Sequence, residues 1–347
     1  MDLAGRISAF ALTGEILRKS LNGESTPYTD RLVQLVNSQQ YKNPWFTPGN
    51  VRMAIAAIAG ELTLENLKKW TGQYPELRET HRPVRVAVIM AGNIPLVGFH
   101  DFLSVLISGN IALVKKSSKD PDLILFIRDL LIEADSEFSG LINIAESVIP
   151  EFDAVIATGS DNTSRYFEQY FGKYPHIIRK NRNSVAIIDG TETRQELEAL
   201  GADVFSYFGL GCRSVSKIYL PDNYDLNYLV ECWGKYADIV NHSKYANNYD
   251  YNKAVLMINR ERFTDTGFVL LKEDRILASP VAVLHYEKYR SQKMPENEIQ
   301  MLRDKIQCTV GRAHLPFGTS QSPALWDYAD GIDTLDFLLK KISAGIL

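Results

Sequence analysis

The 347 residues, 45% apolar and 23% charged, are enough for one to three globular domains with a full core. A net charge of -4 offers no electrostatic case for nucleic acid or an anionic membrane. Three cysteines (212, 232 and 308) and six scattered histidines argue against a disulfide framework or a metal cluster, and a reducing cytoplasm fits them best.

In chain order, residues 1 to about 75 read as helical. The stretch Arg6 to Leu21 carries apolar residues at helical spacing. Asn43 to Pro48 reads as a connector, Thr47 or Asn50 as a cap for Val51 to Ala59, and Thr63 as a cap for Leu64 to Trp70. No basic segment followed by an apolar one opens the chain, so no signal peptide is expected. The most apolar region, Val86 to Val114, is broken by Asn93, Pro95, His100 and Asp101, which excludes a single membrane span there.

From Pro83 the pattern alternates. Strands are predicted at Arg85–Met90, Ile111–Val114, Ala154–Ala157, His176–Ile178 and Val185–Ile188, with helices at Pro95–Ser108, Pro121–Ala134 (Asp120 as cap) and Asp161–Phe171. Such alternation implies a parallel sheet covered on both faces, with its ligand at the carboxyl ends of the strands. A second α/β unit follows: strands at Ser216–Leu220, Val255–Ile258, Phe268–Leu271, Val281–Tyr286 and Ile306–Val310, and a helix at Leu226–Val240. We place the boundary near residue 200. Residues 1–200 then hold the helices and a dinucleotide-binding domain, 201–315 a cysteine domain, and 316–347 a loop and an amphipathic helix around Leu335–Ile342.

Four stretches could carry chemistry. Gly209-Leu210-Gly211-Cys212 sets a thiol between glycines and the start of a strand. An ordinary thiol has a pKa of ~8.5, so a nucleophilic one needs help, and Arg213 and Lys217 are near in sequence. A buried structural cysteine is the other reading. Asn93, after the first strand, suits either an oxyanion donor or a helix cap. Lys115, after the second, suits a phosphate or ribose contact or a plain surface turn. Thr158-Gly159-Ser160, after the third, suits an anion at a helix start, or Asp161 as a cap; it lacks G-x-G-x-x-G. No G-x-S-x-G elbow is present, which disfavours a serine hydrolase.

In this order and spacing, the motifs resemble the aldehyde dehydrogenase superfamily and, within it, LuxC-type acyl-CoA reductases, from about Pro83 to Gly318. The resemblance implies an aldehyde dehydrogenase-like fold: a Rossmann-like cofactor domain, a catalytic domain and an N-terminal helical region. It implies Cys212 as nucleophile, Asn93 as oxyanion donor, Lys115 on the adenosine ribose, and Gly159 and Ser160 beneath the diphosphate. Ser279-Pro280-Val281 resembles the family's Gly-Pro-Val segment, and His314 to Gly318 its Pro-Phe-Gly loop. Three departures stand out. Arg179-Lys180-Asn181-Arg182 occupies the place of the hydrolytic members' glutamate base, which disfavours water as acyl acceptor. Ser118 replaces a ribose-binding glutamate, which makes NADPH acceptable. Ile276 stands where a second glutamate is expected.

The implied function is NADPH-dependent reduction of an acyl thioester, carried on CoA or an acyl carrier protein, to an aldehyde. A CoA-acylating aldehyde dehydrogenase running in reverse, and a non-catalytic binding protein, are the alternatives. A homo-oligomer is compatible with the resemblance, but the chain is shorter than typical relatives, so their subunit contacts do not transfer.

Overall fold

The computed structural model describes residues 1–79, 82–146, 148–159 and 161–341. The chain forms two compact units, Met1–Asn181 with Pro323–Leu347, and Arg182–Ser322. The boundary expected near residue 200 falls inside the helix Arg194–Phe205 of the second unit. The division lies earlier because the strand from Asn183 pairs with strands of the second sheet. The final segment, expected to stand apart from residue 316, is grouped from Pro323 onward with the first unit.

The first unit opens with helices Leu3–Leu21, Thr29–Lys42, Pro48–Glu61 and Leu64–Thr71. Thr47 and Thr63 cap the last two through their side chains, as their positions before apolar runs predict. Five parallel strands follow: β1 (Arg85–Ile89), β2 (Ile111–Lys115), β3 (Ile142–Ile144), β4 (Ala154–Thr158) and β5 (His176–Arg179), in the order β3-β2-β1-β4-β5. Their continuous apolar runs are what burial on both faces requires. Val86, Val88, Ala112, Val114 and Ile156 face the N-terminal helices and the helices Phe99–Ile107 and Leu123–Ala134. Ala87, Val155 and Ala157 face Phe152, Phe167 and Phe171.

The second unit holds β6 (Asn183–Ile187), β7 (Val215–Pro221), β8 (Thr264–Asp265), β9 (Leu270–Glu273), β10 (Val283–Tyr289) and β11 (Ile306–Val310), ordered β11-β6-β7-β10-β9-β8. All pairings are parallel except β8 with β9. One face packs Ala186, Ile218, Leu220, Leu284 and Leu271 against Leu197, Leu200, Trp233 and Phe268.

Several expectations need correction. Val255–Ile258 is not a strand but the end of the helix Ser243–Ile258, whose buried Tyr245, Tyr249, Asn252 and Leu256 follow a helical period. Four apolar residues alone do not distinguish the two. The helix expected from Pro95 begins at Phe99, because Leu96 sits in the left-handed region (φ 57°) and Pro95–Gly98 form a turn. Leu226–Val240 divides into an α-helix to Cys232 and a 3-10 segment Gly234–Asn241. β3, with three residues, went unpredicted. The last segment is a turn of helix, Thr334–Asp336, continued in π geometry over Phe337–Lys341; Ile342 lies outside the described residues.

Candidate active site

In the first sheet the chain steps outward from β1 to β2 and β3, then returns to β4 on the other flank of β1. Sheets of this kind bind ligands at the carboxyl ends of the strands flanking such a reversal, here β1 and β4. Asn93 and Gly159 follow those two ends, Lys115 is the last residue of β2, and Ser118 lies in the turn beyond it. Ser160 lies outside the described residues.

The turn that carries Asn93 is tightly held. A Cβ on Gly92 would come 2.5 Å from Ser117 Oγ, so the chains at 92 and 117 pass only because residue 92 is glycine. Asn93 itself is exposed and caps no helix; Gly98 is the residue at the helix start. Leu96, strained at positive φ, donates its N–H to Asp120 Oδ2 at 2.8 Å. Asp122, not Asp120, holds the N-cap position of the helix Leu123–Ala134, while Asp120 accepts from the Leu123 N–H at the helix start and ties the β1 loop down as well. A Cβ on Gly159 would meet Thr163 and Phe167 at 3.0 Å, so a side chain there would push the helix Asp161–Phe171 away from the strand. Lys115 donates Nζ to the carbonyl of Glu146 at 3.0 Å. Ser118 is exposed between Ser117 and Asp120, which form an isolated bridge.

Burial raises the Asp120 carboxyl to about 6, against the lowering effect of the Leu96 N–H. The folded protein thus holds this proton more tightly than the unfolded chain, whose aspartates titrate near ~3.9. Stability contributed through Asp120 falls as pH rises from about 4 to about 6, by roughly 2–3 kcal/mol. Asp120→Asn keeps an acceptor for Leu96 and is expected to lose that decline. Unfolding midpoints of parent and variant between pH 4.5 and 7 test this; parallel curves would clear Asp120 of the effect.

In the second unit, Cys212 is half-buried, not sealed in the core. Three consecutive left-handed residues precede it: Tyr207 (φ 53°), Phe208 (φ 59°) and Gly209 (φ 75°). Only the third is a glycine, so the first two store strain on the approach to the thiol. The Cys212 carbonyl accepts from Ser184 Oγ at 2.9 Å. Ser184 is fully buried on β6, and its Oγ also accepts from the Cys308 N–H at 3.2 Å and lies 3.0 Å from Cys308 Sγ. Ser214 closes the loop, accepting through Oγ from the Gly211 N–H and donating its own N–H to the Gly211 carbonyl. Arg213 donates to the carbonyl of Ser320 at 3.3 Å. Lys217 does not supply charge to the thiol: it is fully buried and neutralised, giving Nζ to Glu287 (2.6 Å) and Glu298 (3.1 Å). Ile276 is exposed.

Sequence reasoning missed Ser184, the tie made by Asp120, and Asp203, whose carboxylate accepts from two backbone N–H groups in the loop after Pro316. Asp203 gave one signal: it stands three residues after Leu200 on the buried stripe of its helix. Among the described residues no group of three or more His, Cys, Asp or Glu is placed to hold a metal ion, and no helix is long and apolar enough to cross a membrane.

The family model for acyl-CoA reductase (LuxC) matches residues 25–264. The chain belongs to the LuxC family. Its LuxC relatives include the long-chain acyl-protein thioester reductase 2 of Photobacterium leiognathi, 25% identical over 191 residues, which are 50% of this chain and 40% of that protein. The long-chain acyl-protein thioester reductase of Aliivibrio fischeri is 25% identical over 223 residues, 57% of this chain and 46% of its own. This LuxC-family chain thus matches less than half the length of either relative. Aldehyde dehydrogenase 21 from Physcomitrella patens, solved with succinate, superposes with a TM-score of 0.66 at 13% identity, over 99% of this chain and 85% of that one. Glyceraldehyde-3-phosphate dehydrogenase from Methanocaldococcus jannaschii, solved with NADP, gives 0.58 at 12% identity over 89% and 76%. The fold is that of the aldehyde dehydrogenase superfamily.

Proposed function

We propose that this LuxC-family chain reduces a fatty acyl thioester to the aldehyde through an acyl group carried on Cys212. The observation that carries this reading is the setting of Cys212: a half-buried cysteine that follows strained Tyr207 and Phe208 and whose carbonyl is held by buried Ser184. A nucleophile needs both exposure and a fixed position.

The Cys212 thiolate attacks the thioester carbonyl, CoA or the carrier protein leaves as its thiolate, and the acyl group stays on the Cys212 sulfur. The Asn93 side-chain amide and the Cys212 N–H are the donors assigned to the developing oxyanion. The residues on the first sheet suit a nicotinamide dinucleotide: Gly159 keeps the helix Asp161–Phe171 close to β4, Lys115 lies at the carboxyl edge, and Ser118 sets no carboxylate against a 2′-phosphate. Lys115, Ser118, Gly159 and Ser160 are the residues assigned to hold it, with NADPH as the form preferred. When bound, the reduced cofactor supplies the hydride that converts the captured acyl group to aldehyde. Arg179-Lys180-Asn181-Arg182 stands at the place of the hydrolytic members' glutamate base, which disfavours water as the acyl acceptor.

The test is intact-protein mass spectrometry after mixing with acyl-CoAs and acyl carrier proteins of several chain lengths, without reductant. A mass gain localised to Cys212 is expected, discharged as aldehyde on adding NADPH. Acyl groups found elsewhere, or on no residue, would overturn the reading. Asn93→Ala is expected to slow acylation about 10²–10³-fold. Stopped-flow release of CoA measures it, and an unchanged rate removes Asn93 from the oxyanion site.

A further inference from the structure

The loop after Pro316 is tied to the helix Arg194–Phe205 in a way that the chemistry above does not use, and the inference rests on the thioester reading of Cys212. We propose that Asp203 is a positioning residue that sets the register of the Cys212 loop, acting through residues 318–321.

Asp203 is fully buried near the carboxyl end of its helix. This is a poor place for an anion, because the helix dipole and desolvation both oppose it. Burial accordingly raises its carboxyl above the ordinary range. What the carboxylate gains is two backbone donors: Gly318 N–H to Oδ2 at 2.6 Å and Ser320 N–H to Oδ1 at 2.9 Å. The same helix seats the loop by contact. Gly318 has φ 83°, and a Cβ there would fall 3.1 Å from the Cβ of Ala199, one helical turn before Asp203.

The clamped residues then reach both positions that follow the nucleophile. The Ser320 carbonyl accepts from Arg213, and Gln321 Nε2 approaches Ser214 Oγ at 3.4 Å. Ser214 in turn closes on Gly211. Cys212 therefore lies inside a small ring of contacts whose far side is fixed by Asp203. A staple that served only stability would end at residue 320; this one continues to the neighbours of the thiol. Misplacing a reacting group by about 1 Å costs on the order of 10²-fold in rate, so such a brace affects acyl transfer more than it affects access to the sulfur.

Asp203→Asn separates these effects, because an amide offers one acceptor where two N–H groups need one each. The full chain is compared with the parent in three measurements: acylation of Cys212 by acetyl-, octanoyl- and hexadecanoyl-CoA, alkylation of Cys212 by iodoacetamide, and hydrogen exchange over 211–216 and 314–321. Acylation is expected to slow at least tenfold while alkylation, which needs only an accessible thiolate, stays within twofold. Exchange is expected to rise in both segments. Unchanged acylation, an equal fall in acylation and alkylation, or added exchange confined to 314–321 overturns the proposal. Should the parent itself take an acyl group from none of the three thioesters, the reading of function fails separately. Exchange then decides alone whether Asp203 braces the cysteine loop. If Asp203→Asn does not fold, Gln321→Ala cuts one tie without burying a new group, and the same ratio of acylation to alkylation applies.

Discussion

Cys212→Ala is expected to abolish acyl transfer while leaving the fold intact. The two halves of that outcome have separate causes. Cys212 is half-buried, and the Ser184 hydroxyl donates to its backbone carbonyl. Alanine retains that carbonyl, so the change in stability should stay within about 0.5 kcal/mol. The chemistry has no such reserve. Among the described residues Cys308 is the thiol drawn toward the same serine, and it sits on β11 with Sγ 3.0 Å from Ser184 Oγ. Cys232 is buried in the apolar core of the second unit. With the nucleophile gone, aldehyde formation should fall by about 10⁴-fold or more, the scale seen when a covalent route is removed. A coupled assay of NADPH loss and aldehyde formation, read beside circular dichroism, checks both halves. If Cys212→Ala turns over like the parent while Cys308→Ser does not, the roles of the two thiols must be exchanged.

The two loops assigned to the chemistry share a construction. The loop after β1 has a strained Leu96 whose N–H is held by buried Asp120; the loop before β7 has strained Tyr207 and Phe208 and is reached through residues held by buried Asp203. A carboxylate taken out of water gains most from backbone N–H groups that would otherwise be unpartnered. Such ties are long-range, and this is why they were not legible in the chain. The apolar runs at Arg85–Ile89, Ile111–Lys115 and Ala154–Thr158 could be read because a buried parallel strand leaves a local signature. From them, the alternation of strand and helix led to Asn93, Lys115 and Gly159 at strand ends. Nothing local marks Asp120 as the partner of residue 96, or Lys217 as the partner of residues 287 and 298. Val255–Ile258 failed for a related reason: a short apolar run takes the state its neighbours impose.

Arg179 shows the same limit with the largest consequence for stability. By position it stands where hydrolytic relatives were expected to carry a catalytic glutamate, so Arg179→Glu looks like a route to a hydrolase. The structure points to a different result. Arg179 is the last residue of β5 and is buried, and its guanidinium forms a two-pronged pair with buried Asp101, Nε to Oδ2 at 3.0 Å and Nη2 to Oδ1 at 2.6 Å. It also donates to the Ala329 carbonyl at 2.6 Å and to Thr334 Oγ1 at 2.9 Å, fastening the returning C-terminal segment to the first unit. Breaking a buried pair by removing one partner costs about 3–5 kcal/mol, because the other charge stays behind. Arg179→Glu would add a carboxylate beside both Asp101 and Asp330, whose Oδ2 lies 4.0 Å from the Arg179 guanidinium, and should cost at least that much. It is expected to yield a protein that melts far below the parent and hydrolyses no thioester. Asp101→Asn with Arg179→Met removes this pair together, leaving Asp330 behind, and should recover part of the loss, since each single change leaves a buried partner unmatched. Denaturant unfolding of the two single variants and the double variant measures the coupling. Additive losses would mean that Asp101 and Arg179 do not hold each other, and a stable Arg179→Glu protein that hydrolyses acyl-CoA would return this position to catalysis.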